Sequence, residues 1–107
     1  MKYPKLLPQY NGTFMLLEQY NIKGYTVPYG FVTDGLTLKT RLLRLVVDKY
    51  QPKFAPFFVL HDYLCSIDKY KEADEVGEQV LFSIENSLRT KLMMWFIRAY
   101  HKVKYNV

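Results

Sequence analysis

The chain is poor in the residues that build special chemistry or special architecture. It has one cysteine, two histidines and one tryptophan among 107 residues. A single Cys excludes a disulfide framework, and one Cys with two His cannot fill a zinc-finger ligand set. Any metal would therefore have to be held with the help of carboxylates. No apolar run reaches the ~18 residues of a membrane span, because Lys53, His61 and Asp62 interrupt the richest stretch. The opening Met1-Lys2-Tyr3-Pro4-Lys5 has no apolar segment behind it, so a signal peptide is not indicated. There is no low-complexity tract, internal repeat or linker. These absences predict a small, reduced, intracellular domain.

What is present is apolar and aromatic. Half of the chain is hydrophobic, with ten Tyr, seven Phe and one Trp. This is enough to fill one core, so residues 1–107 are predicted to form a single domain. The net charge of +5 is unevenly spread. Residues 1–67 carry a net +4, residues 68–88 a net −4, and residues 89–107 five basic groups and no acidic one. Two neighbouring helices with complementary outer faces would explain the last two segments. A surface for nucleic acid or another anionic partner is the sharper reading.

The first third reads as β. Asn11-Gly12 is a turn signal, Thr13–Tyr20 a strand, and Asn21-Ile22-Lys23-Gly24 a second reversal into Tyr25-Thr26-Val27. A short strand, Phe31-Val32-Thr33, then delivers Asp34, while Pro8 argues against a central strand over residues 5–10. From Thr40 the period becomes helical. Four helices are predicted, over Arg41–Lys49, Phe54–Cys65, Lys69–Ser87 and Thr90–Lys104. Pro56 fits only the first turn of the second, whose apolar residues on almost every side place it at the centre. In the fourth, Leu92, Met93, Phe96, Ile97 and Val103 are expected inward, with Arg98, His101 and Lys104 outward. The fold class is α+β: a small N-terminal antiparallel sheet of two or three strands, then about four helices.

Polar residues placed where apolar ones belong are the candidates for function. His61 shares its face of the second helix with Phe54, Phe57, Phe58 and Cys65, and Asp62 lies about 100° around it. A buried carboxylate needs a partner, a hydrogen bond or a metal. Asp74 sits at the edge of the third helix's apolar stripe, where Glu78 and Glu85 lie only slightly farther out. Asp34, before Gly35, could approach a ligand or simply cap its own turn, with Thr37 doing the same. His61-Asp62 could equally be a core histidine and a paired carboxylate. A Cys65–His61 dyad is geometrically available, but apolar surroundings raise a thiol's pKa and make it inert. His101, amid Arg98, Lys102 and Lys104, reads as a surface residue.

Three segments in order carry a resemblance. Val27-Pro28-Tyr29-Gly30-Phe31-Val32-Thr33-Asp34-Gly35-Leu36-Thr37 resembles the V-P-x-G-F-x-T-D-x-x-S pattern of the phage- and prophage-encoded domain-of-unknown-function family 1353. His61-Asp62-Tyr63-Leu64 is similar to its H-D-x-L block, and Ala73-Asp74 to its later A-D. The chain departs from that pattern at Thr37 (commonly Ser), Lys39 (Pro) and Cys65 (Tyr). The resemblance implies that Asp34, Thr37, His61, Asp62 and Asp74 form the family's polar signature, in a protein of the host cytoplasm or the virion. Such a set suits a carboxylate-rich divalent metal site, or a general base held by carboxylates.

Two functions follow. In the first, the protein is a small metal-assisted or acid–base hydrolase. His61, Asp62 and Asp34 would be its catalytic groups, Asp34, His61, Asp62 and Asp74 its metal ligands, and Thr37 would orient a bound anion. In the second it is a non-enzymatic phage assembly or host-interaction module, partnered by a phage or host protein, whose polar cluster is a buried structural network. Nucleic-acid binding through the basic C-terminal helix ranks third.

Overall fold

The N-terminal residues form two small sheets rather than one. The structure, a computed structural model, describes residues 2–33 and 52–105. The strands are β1 (Leu6–Pro8), β2 (Phe14–Leu16), β3 (Tyr20–Ile22), β4 (Tyr25–Val27) and β5 (Val32–Thr33). One antiparallel sheet has the order β1-β2-β5 and the other pairs β3 with β4. Pro8 closes β1 at a sheet edge, where its missing N–H costs nothing. Gly12 sits in the β1–β2 turn with φ 84°, as an Asn-Gly pair permits.

The expected continuous strand Thr13–Tyr20 is broken after Leu16. The Leu16 N–H still donates to the Phe31 carbonyl and the Leu17 N–H to that of Lys5, in register with β5 and β1, so pairing runs one residue past the strand before the chain turns away. The chain then restarts as β3. Tyr20 and Ile22 face inward and Asn21 outward, the period-2 pattern of a half-buried strand. The reversal is the two-residue turn Lys23-Gly24, with φ of 52° and 80° between paired Ile22 and Tyr25. These angles match the primed turn that follows the strand twist.

After a 3₁₀ turn (Pro52–Phe54) come α1 (Ala55–Ser66), α2 (Tyr70–Ile84) and α3 (Leu88–Tyr105). The described residues thus hold three helices where about four were expected. The remaining one, Arg41–Lys49, lies outside the described residues. Pro56 occupies the first turn of α1, and residues Ala55–His61 are buried without a break, so this helix is central as its composition requires. It packs chiefly against α2, with β4 and β5 also touching it. Its core partners include Leu16, Val27, Val80, Leu81, Met93 and Met94.

Ser87 and Thr90 start α3 reciprocally. The Ser87 N–H donates to Thr90 Oγ1 at 3.1 Å, and the Thr90 N–H to Ser87 Oγ at 3.4 Å, as in a capping box. The inward face of α3 differs in part from expectation: Met93 is buried as expected, but so are Thr90, Met94 and His101, while Leu92 and Val103 are exposed. Apolar residues occur around most of this helix, so its own periodicity does not choose the buried side. Its fit to α2 does. No helix among the described residues is long and apolar enough to cross a membrane.

Candidate functional site

Each of the three helices contributes to one buried polar cluster. His61 and Cys65, one turn apart on α1, lie on the same face by the i, i+4 rule. Asp74 projects from the first half of α2, and His101 from the last turns of α3. His61 Nε2 lies 2.9 Å from Asp74 Oδ1, and His101 Nδ1 lies 2.9 Å from Asp74 Oδ2. The two rings stack with centroids 5.4 Å apart and planes 7° from parallel. Phe57 and Tyr70 close the sides, at ring centroid distances of 5.3 Å from His61 and 5.6 Å from His101.

Two backbone decisions make the approach possible. A Cβ on Gly77 would come within 3.1 Å of Phe57 Cε1 and 3.2 Å of His61 Cδ2, so the bare glycine lets α2 seat against the ring. Asp68, with φ 62°, reverses the chain between α1 and α2 and brings Asp74 back alongside His61.

The carboxylate fixes the protons. Ionised Asp74 only accepts, so His61 must donate through Nε2–H and His101 through Nδ1–H. The opposite nitrogens, His61 Nδ1 and His101 Nε2, turn away from the carboxylate. They lie 3.8 Å and 3.9 Å from Cys65 Sγ. These three atoms are all within 4.8 Å of one another, a spacing that suits a metal ion. Burial alone would raise the Asp74 carboxyl, but the hydrogen bonds from His101 and His61 and their charges hold it at about 2. Burial lowers the His61 pKa, outweighing the support of Asp74, and His101 pushes in the same direction. Burial, then the charges of Asp62 and Asp74, push the Cys65 thiol up to about 12. As expected, Cys65 is no ready nucleophile.

The expected site residues therefore divide. His61 and Asp74 meet. Asp62 does not join them: it is only partly buried and accepts a hydrogen bond from the Thr33 hydroxyl at the end of β5. Asp34 and Thr37 lie outside the described residues. His101 corrects the sequence reading, since it is 5% exposed rather than on the surface. Its basic neighbours masked it, although a wheel that treated His as a core residue would have grouped it with Thr90 and Met94. Cys65 takes on a second significance, since its sulfur meets the second ring nitrogen of both histidines.

A three-helix core faced by short antiparallel strands, with an Asp-braced histidine pair inside, defines a small α+β protein with a buried ionisable centre. A family model described as protein of unknown function (DUF1353) matches residues 13–97. The chain belongs to that family. No curated protein and no solved structure matches it.

Proposed function

We propose that this protein is a small metal-assisted hydrolase of phage or prophage type, its ion held by His61 Nδ1, Cys65 Sγ and His101 Nε2. One observation carries the reading: a single carboxylate sets both imidazoles so that their other ring nitrogens converge on the same sulfur. A carboxylate behind a ligating histidine is the common outer partner of metal sites, because it fixes the tautomer and raises the ligand's basicity. Two imidazoles and a thiolate suit a zinc-class ion better than magnesium, which prefers oxygen. Asp74 is then an orienting group rather than a ligand. An ion held by His61, Cys65 and His101 would supply an activated water for attack on an ester or phosphoester. Asp34, Asp62 and Thr37 enter this proposal on the sequence pattern alone, as groups that would face substrate.

The test is metal uptake by the full chain. Stripped protein is reloaded with zinc or cobalt, and the expected result is one ion per chain. Bound cobalt should show thiolate charge-transfer absorption, lost in Cys65→Ser and weakened in His101→Ala. Hydrolysis of a panel of simple esters and phosphoesters should follow loading. A parent protein that takes up neither ion overturns the proposal.

The burial of His61, Asp74 and His101 favours a second reading. In it the protein is a non-enzymatic assembly or host-interaction module, and Asp74 joins three helices for shape alone. That reading expects no metal uptake, and an Asp74 variant that loses stability without any other phenotype.

A further inference from the structure

We infer that the outer face of α3 is a docking face for an anionic lipid surface. Leu88, Leu92, Trp95 and Val103 recur at i, i+4, i+7 and i+15, which puts them along one side of the helix. They are 74%, 38%, 63% and 88% exposed, whereas the opposite side holds Thr90, Met94 and His101. The stripe is about 22 Å long at the helical rise of about 1.5 Å per residue. Exposed Lys91 and Lys102 run beside it, and residues 88–105 contain no acidic side chain.

Charge and shape choose the occupant. A second copy laid antiparallel on the stripe would bring Lys91 and Lys102 against basic residues, with no acid on the helix to answer them. A nucleic acid would face apolar side chains, since the helix's two arginines are already engaged: Arg89 with Glu85 and Arg98 with Glu78. An exposed helical stripe with a tryptophan and flanking lysines instead matches an interfacial helix. Such a helix sinks its apolar side into the headgroup boundary while long basic stems reach the phosphates. This places the protein on a membrane surface rather than across it, and does not depend on the metal site.

Trp95 is the only tryptophan, so its emission reports on the face directly. The full chain is mixed with phosphatidylcholine vesicles, with and without phosphatidylglycerol, and followed by fluorescence and co-sedimentation. The expected result is a blue shift and pelleting with the anionic vesicles only, reversed by salt. Leu92→Glu, which keeps Trp95 and alters a solvent-facing position, should abolish both signals. Lys91→Gln and Lys102→Gln should each weaken partitioning by roughly fivefold. Lys71→Gln, exposed on α2 and away from this stripe, should bind as the parent does. The inference is overturned by no blue shift with anionic vesicles, by equal binding to neutral ones, or by persistence of binding in Leu92→Glu. Association between copies, or with DNA, in place of vesicle binding overturns it equally.

Discussion

Asp74 and Glu85 make the same kind of connection in opposite surroundings. Each is a carboxylate on or just past α2 that grips two basic side chains from other elements. Asp74 holds His61 and His101 in the interior. Glu85 holds Lys53 at 2.5 Å and Arg89 at 2.8 Å near the surface, and Ser87 also donates to it. Water competes for the second set and is excluded from the first. A surface carboxylate that loses its partners is rehydrated, whereas a buried imidazole N–H that loses its acceptor has no substitute. Geometry alike to a few tenths of an ångström should thus give unlike energies.

The largest expected effect comes from Asp74→Ala. It removes the carboxylate acceptor of two buried ring N–H groups and should cost about 3–5 kcal/mol in urea unfolding. A loss below about 1 kcal/mol would end the contrast with Glu85. Acid should reveal the same asymmetry. Asp74 is held at about 2 against an ordinary 3.8, so its contribution is full above the ordinary value and disappears as pH falls toward 2. That contribution is roughly 2 kcal/mol. His61, lowered by burial, adds a loss in the same direction that begins once pH drops below its ordinary 6.5, because the unfolded chain takes the proton first. Unfolding measured between neutral pH and about 3 should show a steep fall that flattens at its acid end in Asp74→Ala.

Gly77→Ala sharpens the comparison from the packing side. Its methyl group would press on the rings of Phe57 and His61, which are rigid and enclosed. Overpacking of about 1–3 kcal/mol is partly offset by alanine's better helix propensity. A net loss near 1 kcal/mol is expected, with a displaced His61 ring detectable by NMR. Glu85→Gln should do least. Its effect should be smaller than any of these and should shrink further in about 1 M salt, where exposed charges are screened. An effect of Glu85→Gln equal to that of Asp74→Ala would erase the distinction.

The central helix and half of the site were legible from residue order. Uninterrupted apolar character marked α1 as buried, and His61 stood out because its helix face is otherwise made of core residues. Asp74, at the edge of its stripe near Glu78 and Glu85, was singled out by the resemblance to the family's A-D pair. The rest was hidden for physical reasons. A helix with apolar residues on most sides leaves its rotation undetermined, so α3 was read with His101 outward and Val103 inward. Only docking on α2, where Asp74 waits as an acceptor, fixes that rotation. The pair His61-Asp62 separated for the same reason: Asp62 found the Thr33 hydroxyl, a partner far away in the chain.

The opposed ring nitrogens on Asp74 make the two histidines non-equivalent in a way their names conceal. His61 presents the nitrogen at the far end of its ring, and His101 the one next to the branch point. A glutamine amide reaches about as far as the former, and an asparagine amide about as far as the latter. The cluster therefore has a substitution grammar: glutamine at 61 and asparagine at 101 keep a donor in the native place. The reverse choices put one too short and one too long, although all four changes look equally conservative on paper.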